Sequence, residues 1–205
     1  MSEFMDIITS DNLSYKQKVL HLAQAAENSE HPIKTTAEFD RLFAAHALDD
    51  MCEGNAPYRP RYICPDYQVF AQNGSEFLRF DKPETLDDLL WGLAALYDNV
   101  PSVTSRPVYV GQLDKIIDPF LEGMTDAEIK PRLRRFLNHI DRTVASGYCH
   151  ANIGPEDTRA GRLLLEVDRE LMNAVPNFTL KYDPEVTSDE FMRLAVKTTM
   201  VCSNP

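Results

Sequence analysis

Asn177-Phe178-Thr179-Leu180-Lys181-Tyr182 alternates apolar and polar side chains, and Thr187-Ser188-Asp189-Glu190 opens an amphipathic run just after it. Alternation at period two suits a half-buried strand. Hydroxyl and acidic residues followed by Phe191, Leu194, Ala195 and Thr198 at helical spacing suit a capped helix. A strand leading directly into such a helix is the repeating unit of a parallel sheet. A second β-branched run, Pro107-Val108-Tyr109-Val110, begins with a proline, which the first position of a strand tolerates. These segments predict a helix-rich α/β fold.

Working outward, helices dominate. Leu13, Val19, Leu20, Ala23 and Ala26 share a face after the capping residues Ser10, Asp11 and Asn12. Thr35 and Glu38 form a capping-box pattern before Phe39, Leu42, Phe43 and Ala47, in a helix expected to stop by Gly54, ahead of Pro57 and Pro60. Thr85 caps a run carrying Leu86, Leu89, Leu90, Leu93 and Leu96, whose weak point is Gly92, costing about 1 kcal/mol relative to Ala. Thr125 and Glu128 also match a capping box, but Pro131 is better placed in the first turn of a helix carrying Leu133, Phe136, Leu137, Ile140 and Val144. A further helix follows Asp157 or Thr158, with Leu163, Leu164, Val167 and Leu171 inward. No internal repeat is visible.

Composition excludes several functions. With 21 basic and 32 acidic side chains in 205 residues the net charge is −11, which opposes binding to nucleic acid. The basic cluster Lys130, Arg132, Arg134 and Arg135 reads as a solvated helix face. Apolar runs such as Leu93-Ala94-Ala95-Leu96-Tyr97 fall far short of the roughly 20 residues of a membrane span. The acidic opening Met1–Asp6 has no basic region before an apolar stretch, so a cytoplasmic location is expected. Cys52, Cys64, Cys149 and Cys202 include no C-x-x-C pair and read as reduced, buried thiols.

No stand-alone catalytic motif appears: there is no G-x-S-x-G, H-E-x-x-H, P-loop or G-x-G-x-x-G. His139, Cys149 and His150 lack a further ligand to complete a metal site, and no metal is expected. Adjacent Cys149 and His150 rarely give nucleophile–base geometry. Asp114 and Asp118 stand one helical turn apart; paired carboxylates serve acid/base work, but two surface carboxylates are the commoner arrangement. The proline-rich stretch from Gly54 to Asp66, with Tyr58, Arg59, Arg61 and Tyr62, either packs on a pocket or wraps the surface. Two polar segments, Pro101–Asp114 and Cys149–Asp157, set hydroxyl, amide or imidazole groups beside a glycine and ahead of a helix, where backbone N–H groups can meet a substrate or simply be capped.

These segments carry a resemblance. Met51-Cys-Glu-Gly-Asn-Ala-Pro-Tyr-Arg-Pro-Arg-Tyr62, Val100-Pro-Ser-Val-Thr-Ser105, Tyr109-Val-Gly-Gln-Leu-Asp114 and His150-Ala-Asn-Ile-Gly-Pro155 resemble the YjjI-type glycyl radical proteins. The likeness covers nearly the whole chain, most firmly from about residue 48 to 205. Gly111-Gln-Leu-Asp114 with Asp118-Pro-Phe120, and Val175-Pro-Asn-Phe-Thr-Leu-Lys-Tyr182 with its helix, are similar to segments of other glycyl radical enzymes.

The resemblance implies a ten-stranded α/β barrel in which a glycyl radical oxidises a cysteine to a thiyl that abstracts hydrogen from substrate. It also implies that a radical-SAM activating enzyme with an iron–sulfur cluster installs the radical. Burial protects such intermediates from quenching. None of the eight glycines lies in the family's Arg-Val-x-Gly context, and the thiyl cysteine belongs on a strand later than Asn177–Tyr182. No catalytic residue is therefore carried over, and this chain itself binds no cofactor. Residues 1–50 are expected to be a helical region, and 51–205 the first part of the barrel, incomplete at its C-terminal side.

The expected function is the N-terminal portion of a glycyl radical enzyme, inactive alone, with Ser102, Thr104, Ser105, Arg106, His150 and Asn152 as cavity-wall candidates. Its expected partners are the activating enzyme, the remainder of the enzyme and a second copy of itself. The alternative is a non-catalytic module that docks onto a radical enzyme. An interrupted barrel leaves Asn177–Tyr182 with an unpaired side.

Overall fold

The structure, a computed structural model, describes residues 3–29, 34–48, 66–104, 108–143 and 149–203. Three strands, β1 (Val108–Val110), β2 (Cys149–Ile153) and β3 (Asn177–Leu180), form a parallel sheet in the order β1-β2-β3. Val108 and Val110 pair with Cys149 and Ala151, and Ala151 and Ile153 pair with Phe178 and Leu180. Because partners in register point the same way, these side chains make one apolar face. Val108, Val110, Cys149, Ala151, Ile153 and Phe178 are all buried, in one core with Leu133, Phe136, Leu137, Ile140, Leu164 and Phe191.

The chain divides into two units. Residues Met1–Ile63 with Val103–Arg106 make one unit, which contains α1 (Glu3–Thr9), α2 (Tyr15–Ser29) and α3 (Ala37–Ala44). The second unit, Cys64–Ser102 with Pro107–Pro205, holds the sheet. It begins with α4 (Tyr67–Asn73) and most of α5 (Leu86–Thr104). Between β1 and β2 run α6 (Leu113–Ile117), a 3-10 turn at Asp118–Leu121 and α7 (Asp126–Thr143). Then α8 (Arg159–Leu171) links β2 to β3, and α9 (Asp189–Cys202) follows β3. A sheet whose spatial order follows its chain order, joined by crossovers of the usual right-handed sense, gathers its helices on one side. Accordingly, α7 packs on α8 and α8 on α9.

The local signals explain these boundaries. Ser188 accepts a hydrogen bond from the Phe191 N–H at 3.1 Å and Thr158 from the Gly161 N–H at 3.0 Å, fixing the starts of α9 and α8. Asp157 instead takes the Arg162 guanidinium at 2.6 Å and the Ser188 hydroxyl, tying the two helix starts together. Gly92, a weak helix former, is required by packing. A Cβ there would stand 2.3 Å from Phe70 Cζ, so glycine makes room for the tip of the α4 ring against α5. The basic cluster on α7 behaves as a solvated, ion-paired face: Lys130 meets Glu166 at 2.7 Å, Arg132 meets Asp87 at 3.0 Å, and Arg134 meets Glu170.

Several expectations change. β2 occupies residues expected to be a polar loop. Pro131 sits in the second turn of α7, because the Thr125–Glu128 capping box does form: Glu128 Oε2 accepts from the Thr125 N–H at 2.8 Å. A proline that far inside a helix removes one backbone bond, which the apolar stripe Ile129, Leu133, Phe136, Leu137 and Ile140 outweighs by burial. The α3 cap is Thr36, not Thr35, and α3 ends at Ala44, before Ala47. α2 starts at Tyr15, after Ser14, whose N–H donates to Gln17 Oε1 at 2.9 Å. Cys52, Cys64 and nearly all of the stretch from Gly54 to Asp66, including the Met51–Tyr62 segment, lie outside the described residues.

Candidate functional site

The sheet's second face is polar. Tyr109, His150 and Asn177 align in one row across β1, β2 and β3, and Asn152 and Thr179 in the next. Parallel sheets are normally apolar on both faces, because both are covered. Here Thr179 is exposed and Tyr109, His150 and Asn177 are half-buried. The row is also uncharged: burial holds the His150 imidazole below its usual value, so it is neutral at pH 7. Phenol, imidazole, amide and hydroxyl groups at strand spacing can donate and accept hydrogen bonds with a neutral oxygenated molecule.

The edge of this face at the strand C-termini is held by two crossing loops. After β1 the chain turns through Gln112, in the left-handed conformation at φ 57°. Its backbone N–H donates to Asn152 Oδ1. Two residues on, Asp114 Oδ2 accepts from the Gly154 N–H at 3.2 Å and the Thr158 hydroxyl at 2.8 Å. Gly154 has φ +76°, and a Cβ there would come within 2.9 Å of Leu180 Cδ1. Asn152, Gln112, Asp114 and Gly154 thus close one ring. Asp118 completes the tie, with Oδ1 accepting from the Ala160 N–H at 2.8 Å in the first turn of α8.

This overturns the expectation of two surface carboxylates. Asp114 is 0% exposed, and Asp118 is half-buried. Burial raises the Asp114 carboxyl above its usual 3.8, while the bonds from Thr158 and Gly154 pull it down. Both acids hold the start of α8. Among the described residues, Asn152 Nδ2 and Asp114 Oδ1 are buried without a hydrogen-bond partner. At about 1–3 kcal/mol each, such groups are rare in a finished interior.

Of the six wall candidates, His150 and Asn152 come together on this face. Ser102 and Thr104 fall in the last turn of α5, so part of the first polar segment is helix. Ser105 and Arg106 lie outside the described residues. The face adds Tyr109, Asn177 and Thr179, whose strand parity was readable once Cys149-His150-Ala151-Asn152-Ile153 is seen as an alternating strand. His139 is no partner of this set: its Nε2 lies 3.2 Å from Asp98 Oδ2. Neither described thiol faces the polar row. Cys149 points into the core, where burial, and then the Asp98 charge, push it up to about 11. Cys202 donates toward Asp168 Oδ2 at 3.4 Å, between α9 and α8.

Residues 13–205 match the family described as glycyl radical enzyme YjjI-like. The chain belongs to that family. An uncharacterized protein of Haemophilus influenzae is 44% identical over 208 residues, an alignment covering 100% of this chain and 40% of that protein. The uncharacterized protein YjjI of Escherichia coli K12 is 45% identical over 199 residues, covering 97% of this chain and 39% of that protein. The chain therefore spans about 40% of the length of these curated relatives. Among the described residues no helix is long and apolar enough to cross a membrane, and no group of three or more His, Cys, Asp or Glu could hold a metal ion.

Proposed function

We propose that the chain is the N-terminal portion of a YjjI-type glycyl radical enzyme, forming part of the barrel wall and of the substrate cavity. The supporting observation is the uncharged polar face of a parallel sheet whose helices pack on the other side. In a closed α/β barrel the inner face is lined by alternate strand residues and the helices form the outer ring. β1, β2 and β3 would be the first strands of the family's ten. Residues 51–205 would build this wall, and 1–50 a helical region before it.

Two further features support an unfinished wall. β1 and β3 are both edge strands, each with one side unpaired within this sheet. α8, packed between α7 and α9, buries its apolar residues, whereas α9 leaves Met192, Val196, Met200 and Val201 exposed. On this reading the next strand and helix cover both features.

Radical chemistry would supply hydrogen abstraction, from a glycine and a cysteine outside this chain, after a radical-SAM activating enzyme has acted. The residues here would bind and orient a neutral oxygenated substrate. Asn152 is buried, and the bond that its Oδ1 accepts from the Gln112 N–H fixes the amide behind this face. Tyr97 donates to the His150 carbonyl at 3.3 Å and anchors the middle strand to α5. Reading the coding sequence beyond Pro205 tests this. A frame continuing through a cysteine-bearing strand to an Arg-Val-x-Gly loop carries the proposal. A stop codon with no companion gene for the remainder would reject it in favour of the docking module.

A further inference from the structure

A groove of about 370 Å³ runs between α4 and the α6 segment, apart from the polar face. Gln68 and Gln72 lie one helical turn apart on α4 and line one side of it. Phe120, and the edge of the buried Ile116 one turn before it, supply apolar lining. Lys82 and Lys115 complete the lining. The volume lies within the range of small-molecule sites, and apolar lining with a few polar groups is their usual composition.

The charges decide what fits. Lys115 is already neutralised by Glu156 at 2.6 Å. Lys82 has no ion-pair partner among the described residues, so the groove carries one uncompensated positive charge on a chain of net −11. We propose that this groove binds a small carboxylate bearing a short apolar or aromatic body. The single negative charge meets Lys82, the amides of Gln68 and Gln72 donate to the carboxylate oxygens, and the body lies on Ile116 and Phe120. A dianionic phosphate would bring a second charge beside Glu156 and leave the apolar lining uncovered. Gln68 Nε2 also donates to Gln112 Oε1 at 3.3 Å, so the groove borders the loop that holds Asn152. The assignment stands independently of the radical reading.

The test is a titration of the purified chain with benzoate, benzyl alcohol and inorganic phosphate, following the side-chain amide signals of Gln68 and Gln72 by nitrogen–proton NMR. Saturable shifts with benzoate are expected, with benzyl alcohol about fivefold weaker, the scale of one exposed charge pair. Lys82→Ala should weaken benzoate by the same factor, Lys82→Arg should restore it, and Phe120→Ala should weaken benzoate and benzyl alcohol alike. Lys82 is exposed, so its variants retain the fold. The proposal is overturned if benzoate gives no saturable shift, if benzyl alcohol or phosphate binds as tightly, or if Lys82→Ala keeps the parent affinity.

Discussion

Replacing Asp114 with Ala removes the acceptor that ties the first crossover to the start of α8. The Gly154 N–H is buried and has the carboxylate as its acceptor, so it is left unsatisfied at a cost of about 1–3 kcal/mol. The Thr158 hydroxyl loses a 2.8 Å bond to a carboxylate but keeps its role as acceptor from Gly161, a smaller loss of about 1 kcal/mol. Against this, the variant no longer buries a carboxyl whose second oxygen has no partner, which returns about 1 kcal/mol. The balance is a destabilisation of about 2 kcal/mol, or a fall of about 1 M in the urea midpoint at an ordinary slope. Asp114→Asn keeps an acceptor and should cost less than half as much. The two variants also separate in pH. Burial raises the native carboxyl above its unfolded value, so the native state holds this proton to higher pH than the unfolded chain does. The Asp114 contribution is therefore fullest below 3.8 and is lost as pH rises through the raised native value. Parent stability minus that of Asp114→Asn should shrink across that window. Urea melts of the three proteins between pH 4 and pH 7 measure both effects. Equal stability of parent and Asp114→Ala, or a difference that grows with pH, would refute the ring as described.

Gly92→Ala gains about 1 kcal/mol of helix propensity but drives a methyl into the Phe70 ring, an overlap expected to cost about 1–3 kcal/mol, so thermal melts should show net destabilisation that Phe70→Leu relieves. A stabilised Gly92→Ala would mean that α4 does not pack there. Cys149, buried with its thiol pushed up to about 11, should resist iodoacetamide at pH 7.5 until urea unfolds the chain, as peptide mass mapping would show; ready native labelling would contradict its burial. The chain alone should self-associate through its uncovered α9 face, and Val196→Glu with Met200→Glu should shift its sedimentation toward monomer. A parent that sediments as a compact monomer would argue against an uncovered face.

The parts of the fold that could be read from sequence were those with a strong period and a cap. β3 and α9 combine period-two alternation with a hydroxyl cap, and β1 is a β-branched run. His150 and Asn152 make Cys149–Ile153 look like a polar loop, which hides β2. The same alternation is the polar face, so the missed strand and the missed site residues Tyr109, Asn177 and Thr179 have one cause. Spacing placed Asp114 and Asp118 on one helical side but could not say that side was buried. Its cover, the start of α8, lies some forty residues further along. Gly92 looked like a defect because propensity is local, whereas the Phe70 ring that needs the space comes from another helix.

The central proposal, that this chain is one wall of a radical enzyme, is tested most directly by electron paramagnetic resonance. The chain, joined to or mixed with the remainder of its enzyme and a radical-SAM activating enzyme, would be reduced anaerobically with S-adenosylmethionine and frozen. We expect a glycyl radical doublet whose splitting collapses when the α-hydrogen is exchanged in deuterium oxide. Activated samples with no glycyl signal would contradict membership of a working radical enzyme, and a doublet that forms equally well without this chain would leave it no place in the wall.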